Sequence, residues 1–175
     1  MRTAGQAERW PRKMNNIVQF KSPAHFERGT IFSLLQRSWG PLWNPELERN
    51  IQKFDDEVYN EPETIGTCTF ITYLKGKSIG MASFDPRQAP ELGIIGWNCV
   101  VPEYQNKGYG RKQIEEILRI FRQRNIQTVS VTTTDESFFV PAMHIYTACG
   151  FAEFKRENGN IEYRLDLKKN GQPEA

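Results

Sequence analysis

Residues 99–121 read Cys99-Val100-Val101-Pro102-Glu103-Tyr104-Gln105-Asn106-Lys107-Gly108-Tyr109-Gly110-Arg111-Lys112-Gln113-Ile114-Glu115-Glu116-Ile117-Leu118-Arg119-Ile120-Phe121. A strand-like apolar run ends at Val101, a short polar loop follows, and a helix starts at two glycines. The first turn of a helix carries free N–H groups and a partial positive charge. Glycines let the backbone close on a ligand without Cβ obstruction. Gln105, Asn106 and Lys107 add polar and cationic groups beside those amides, and Arg111 and Lys112 lie in the first turn. Such an arrangement suits a pyrophosphate. A glycine-softened turn with solvated basic residues would carry the same letters. The dinucleotide fingerprint is excluded because its third glycine is missing, and the Walker loop because no Gly-Lys-Ser/Thr follows.

Outward from this loop, Ile114, Ile117, Leu118 and Phe121 recur at helical spacing, which predicts a helix over 108–124 with Glu115 and Arg119 paired on its outer face. Upstream, 92–101 reads as a strand interrupted by Gly93 and Gly96, which signals a bulge or a close backbone approach. Runs 67–74 and 78–84 form a hairpin around Lys75-Gly76, and 85–90 reads as a loop. Asn44-Pro45 starts a helix that runs to Tyr59. An earlier helical region opens at Ser22-Pro23 and breaks at Gly40-Pro41, and 16–20 is a first short strand. Downstream come a strand over 126–133, a helix over 141–149 capped by Gly150, and a hairpin of 151–154 with 161–167 around Asn158-Gly159. The fold class is therefore α/β (α+β), with a mixed, largely antiparallel central sheet flanked by helices on both faces.

The chain has 175 residues, enough for one domain, assigned to 14–170. Polar residues 1–13 read as a flexible N-terminal extension. A net charge of +2 is too mild to argue for nucleic acid or a membrane surface as partner. No run is long and apolar enough to cross a membrane. Cys68, Cys99 and Cys149 are odd in number and far apart, which argues against a disulfide framework and against a metal site, and for reduced thiols in a cytoplasmic protein.

Gln105-x-x-Gly108-x-Gly110, preceded by Val100 to Tyr104 and followed by a long amphipathic helix, resembles the acetyl-CoA motif of the GNAT N-acetyltransferases, (Gln/Arg)-x-x-Gly-x-(Gly/Ala). Ala142-x-x-x-Tyr146-x-x-x-Gly150-Phe151 resembles the second signature of that family, a tyrosine-bearing helix before the next strand. The motifs cover about residues 91–155. The resemblance implies acetyl-CoA as co-substrate, held through Val100, Val101, Gln105, Asn106, Lys107, Gly108, Tyr109, Gly110 and Arg111. It implies transfer of the acetyl group to a primary amine by direct attack on the thioester. Homodimers are common among its members.

Within that resemblance, Val100 offers its amide to the developing oxyanion from a bulged strand, and Tyr146 is the acid for the departing thiolate. Read without it, Tyr146 is equally a core tyrosine. Phe139 stands where members often carry Asn, so apolar contact would replace a hydrogen bond to the pantetheine arm. Glu91, at the start of the bulged strand, and Asn98, near the expected thioester, are the candidates for deprotonating the amine or orienting a water; Glu91 also reads as a strand-edge charge. His144 faces away from Tyr146. The acceptor is a small-molecule or peptide amine. Trp39 and Trp43, around Gly40-Pro41, read either as an aromatic wall for it or as a hydrophobic plug. Asp55-Asp56-Glu57 reads as a solvated acidic face or a lure for a cation. A non-catalytic acyl-CoA-binding regulator and an unrelated phosphate-binding module are the competing readings.

Overall fold

The computed structural model of the protein describes residues 17–168, so the extension assigned to 1–13 lies outside the described residues. The strands are β1 (Gln19–Lys21), β2 (Thr69–Leu74), β3 (Lys77–Gln88), β4 (Leu92–Val100), β5 (Thr128–Thr134), β6 (Ala152–Glu157) and β7 (Asn160–Asp166). The helices are α1 (Thr30–Ser38), α2 (Pro45–Asn60), α3 (Tyr109–Gln123) and α4 (Val140–Ala148). The strands form one sheet in the order β1-β2-β3-β4-β5-β7-β6, in which β4 and β5 alone are parallel.

Alternation along the strands sorts the core onto two faces. Ile71, Ile79, Met81 and Cys99 pack under Ile31, Leu34 and Leu35 of α1 and Ile51 and Val58 of α2. Phe70, Ala82, Phe84 and Ile95 point the other way, into a cluster with Ile114, Ile117, Leu118 and Phe121 of α3 and Tyr146 of α4. Helices thus cover both faces of a mixed, largely antiparallel sheet, as the sequence predicts.

Several local expectations need correction. The first helical region does not run through from Pro23: after a single turn at Pro23–His25 it restarts at Thr30, because Gly29 sits at φ 89°. Gly29 has no side chain to cap the new helix. The carboxylate of Asp55 does so from α2, accepting hydrogen bonds from the N–H of Gly29 and of Phe32, both at 3.0 Å. Asp55 is fully buried, so the acidic run 55–57 is neither a uniformly solvated face nor a lure for cations. A buried carboxylate holding two amides is expected to contribute about 3 kcal/mol. Urea unfolding of Asp55→Ala should show that loss; a loss below about 1 kcal/mol would mean that water replaces the carboxylate at the helix end.

Strand β3 continues to Gln88, through residues read as a loop. Asp85 pairs with Ile94 and Gln88 with Leu92, and Pro86 falls in the irregularity between them, where no ladder N–H is required. On α3, Glu115 pairs with Arg111 at 2.8 Å, and Arg119 with Glu116, rather than Glu115 with Arg119.

All three cysteines are free thiols. Burial pushes the Cys99 thiol from 9.0 up to about 11. A raised native value favours folding below the ordinary value, and that contribution is lost as pH rises from 9.0 toward about 11. The urea midpoint should therefore fall over this window in the native sequence and fall less in Cys99→Ala. Equal slopes would show that the thiolate is tolerated inside.

Candidate functional site

The site begins where the sheet comes apart. Strand β4 pairs with β5 only over Leu92–Ile94 against Thr128–Ser130. Beyond Ile94 the two diverge, and β5 stays with β7 as far as Thr134. The divergence coincides with a bulge. Ala82 pairs with Asn98 and Phe84 with Ile95, so β4 spends an extra residue at Gly96-Trp97 opposite Ser83. Ser83 Oγ fastens the bulge by donating to the Trp97 carbonyl at 3.2 Å, and a Cβ at Gly96 would stand 2.7 Å from Ser83 Oγ. A bulge bends and twists its strand, and here it carries β4 away from β5.

The gap opens into a cavity of about 1070 Å³, lined by β4 from Ile94 to Val100, by Thr132–Thr134 of β5, by the start of α3 and by α4 with the turn before it. The N–H of Val101 donates to Ile79 on β3 at 2.9 Å. Neighbouring residues of a strand point opposite ways, so the N–H of Val100 is turned from β3 into the gap. The Val100 carbonyl, on the same side, accepts from Gln105 Nε2 at 2.8 Å. That bond ties the glycine loop to the end of β4.

Gly108 adopts φ 83° at the N-cap of α3 and offers no side-chain cap, and Asn106 before it has φ 58°. Nothing stands within 4 Å of where a Gly108 Cβ would be, and Gly108 to Arg111 line the cavity. A Cβ at Gly110 would lie 2.9 Å from Ile145, so a glycine there lets α3 and α4 approach. Free amides at the head of a 15-residue helix attract an anion. Among the described residues, no group of three or more His, Cys, Asp or Glu side chains is placed to hold a metal ion.

Across the gap, Tyr146 is 4% exposed, and its phenolic oxygen accepts from Asn98 Nδ2 at 3.5 Å. Burial raises the phenol above its ordinary value, outweighing the Asn98 contact. The group therefore keeps its proton at neutral pH, and that proton is not used by Asn98.

A family model described as "Acetyltransferase (GNAT) family" matches residues 29–151, from the head of α1 to the Gly150-Phe151 turn after α4. The chain belongs to the GNAT acetyltransferase family. No curated protein sequence matches it significantly. Solved structures match in fold. The PaiA N-acetyltransferase of Thermoplasma acidophilum, solved with coenzyme A, is 11% identical with a TM-score of 0.69, covering 86% of this chain and 99% of its own. The ribosomal-protein-S18-alanine N-acetyltransferase of Escherichia coli is 18% identical with a TM-score of 0.62, over 86% of this chain and 94% of its own. The IAA acetyltransferase of Bacillus cereus is 19% identical with a TM-score of 0.60, covering 86% and 99%.

In this GNAT chain, Val100, Gln105, Asn106, Gly108, Tyr109, Gly110, Arg111, Asn98, Phe139 and Tyr146 all line the one cavity. Three other sequence candidates do not. The Val101 side chain is buried beneath α1 and α2 and its N–H is bonded into the sheet. Lys107 turns back to donate to the Glu103 carbonyl at 2.8 Å. Glu91 is exposed and precedes β4, seven residues of extended chain from Asn98, or roughly 20 Å. It lies on the wrong side of the split, where β4 and β5 are still joined. Arg111 lines the cavity while its guanidinium pairs with Glu115. The GNAT cavity also parts the two tryptophans: Trp39 lines it, whereas Trp43 packs edge-on against Phe32 at 5.6 Å.

Sequence reading missed Gln113, which is 1% exposed and donates to Thr72 Oγ1 at 2.8 Å and to the Cys99 carbonyl at 2.9 Å. It fixes α3 to the strands that form the gap. Its signal was a polar residue on the same helical stripe as Ile117 and Phe121. A Cβ at Gly80 would stand 2.2 Å from the Cys99 carbonyl and 2.9 Å from Gln113 Nε2, so only glycine allows this contact.

Proposed function

We propose that the protein transfers the acetyl group of acetyl-CoA to the nitrogen of a primary amine, within the gap between β4 and β5. The observation that carries this reading is the separation of two parallel strands directly beside an uncapped, glycine-headed helix. Open strand edges present unpaired backbone N–H and C=O groups. A pantetheine arm carries two amides and can lie between such edges like an added strand. Buried Thr133 Oγ1, on the cavity-lining part of β5, has no partner; a polar ligand or a water beside it would supply one. At the head of α3 the amides of Gly108 to Arg111 would receive the pyrophosphate.

The acetyl group then falls at the bulge. The Val100 N–H donates to the thioester oxygen, and this bond strengthens as charge develops there. The amine attacks the thioester carbon as its neutral form, the C–S bond breaks, and the proton shed by the new amide nitrogen passes to water. The Tyr146 phenol, protonated because of its burial, supplies the proton that leaves with the thiolate. Asn98 holds the phenolic oxygen in place. Phe139 contributes apolar surface to the arm. Reduced cysteines and a mild charge fit a cytoplasmic enzyme.

Among the described residues, no aspartate or glutamate lines the cavity, which leaves the His144 imidazole as the one side chain there that could accept the amine proton. That observation favours a second reading, in which the chain binds acyl-CoA without turnover. Thiol release from acetyl-CoA in the presence of a panel of amines separates the two. Release that requires an amine supports transfer. Acetyl-CoA binding with no release for any amine would leave a binding protein.

A further inference from the structure

Resting on the transfer reading, we infer that the acceptor is a small aromatic primary amine that carries no second positive charge. Below the bulge the cavity wall is aromatic. The ring of Trp39, at the end of α1, lies 5.2 Å from that of Trp97 on the bulge of β4. It also lies 5.5 Å from Phe139 and 6.2 Å from Phe138, both in the turn before α4. These four side chains line the cavity. They come from three elements on opposite sides of the split, so the wall exists only in the folded chain. Rings in offset or edge contact leave further faces and edges for another ring.

The charge around this wall is as informative. Among the described residues, no aspartate or glutamate lines this cavity. Asp55 is spent on the head of α1. Glu136 accepts from Thr134 Oγ1 at 3.4 Å, and Asp135 faces Arg156 at 3.9 Å. A polyamine or aminoglycoside would have to bring a second ammonium against apolar rings with no counter-charge, which is strongly disfavoured. The rings touch one another: Trp39 meets the other three at 5.2 to 6.2 Å, and Phe138 meets Phe139 at 5.1 Å. The Trp39 contacts with Phe138 and Phe139 also join the end of α1 to the turn before α4, which narrows the cavity on this side. A compact planar amine meets none of these obstacles.

Thiol release from acetyl-CoA, measured with 2-phenylethylamine, tryptamine, aniline, spermidine and a tetrapeptide with a free N-terminus, tests this directly. The aromatic amines should exceed spermidine and the peptide in kcat/KM by about thirtyfold or more, a difference within reach of an apolar pocket. Trp39→Ala and, as a milder change, Phe138→Leu should raise KM for the aromatic amines about tenfold while the thermal stabilisation by acetyl-CoA is kept. Equal or better turnover of spermidine or peptide would overturn the aromatic acceptor and leave acetyl transfer standing. Stabilisation by acetyl-CoA with no turnover of any amine would overturn both.

Discussion

Replacing Gly108 by glutamate is expected to abolish the stabilisation that acetyl-CoA should confer on the protein. A ligand that binds only the native state stabilises it by RT ln(1 + [L]/Kd), about 2.7 kcal/mol at a hundredfold excess over Kd. For a chain of this size that is a rise in melting temperature of about 5–10 °C. Gly108 opens α3 at φ 83°, with free space where a Cβ would stand. A glutamate there faces backbone strain of about 1 kcal/mol. It also brings a carboxylate over the amides that would hold the pyrophosphate. Two lost charge-assisted hydrogen bonds amount to about 3 kcal/mol, or about a hundredfold in Kd. Gly108→Asn is the control, since asparagine tolerates positive φ and adds no charge. It should keep most of the shift. If Gly108→Glu melts higher with acetyl-CoA by as much as the native protein does, the phosphates lie elsewhere.

Tyr146→Phe is expected to lower kcat about a hundredfold and to leave KM for acetyl-CoA unchanged. General acids typically contribute a hundredfold or more, and a thiolate is a fair leaving group, so the low end applies. The ring itself is kept, with its neighbours Phe151 at 6.1 Å and Tyr163 at 5.9 Å. Only the long contact to Asn98 is lost, so the melting temperature should move by no more than about 2 °C. Because burial raises the phenol, native kcat should hold through neutral pH and fall only when the proton is lost, above the ordinary value of about 10. In the variant that alkaline fall should be absent. A kcat within twofold of native would return Tyr146 to the core as a packing residue.

What could be read from the letters was local. The Gly-x-Gly loop, the Asn44-Pro45 helix start and the two hairpin turns each depend on a few adjacent residues, and each is where the sequence places it. Asn44 Oδ1 indeed accepts from the N–H of Glu46 and of Leu47, and Lys75 and Gly76 both take the positive φ that a tight turn needs. What could not be read depends on partners distant in sequence. Asp55 looks like surface charge until α1 is seen to begin at a glycine. Asp85 to Gln88 looks like a loop until β4 pairs with it around Pro86. Glu91 stands at the start of the right strand, but the split begins only after Ile94, and no local pattern marks where two strands part. Trp39 and Trp43 differ by four residues and share a composition. Which of them faces the cavity is decided by Trp97, Phe138 and Phe139, none of them near in the chain.

The most direct measurement is a crystal structure of the protein with acetyl-CoA. The pyrophosphate should rest on the amides of Gly108 to Arg111, the arm between β4 and β5, the thioester oxygen within hydrogen-bond distance of the Val100 N–H, and the sulfur facing the Tyr146 hydroxyl. An acetyl group bound away from the bulge, or a gap between β4 and β5 left empty while acetyl-CoA sits elsewhere, would contradict the account.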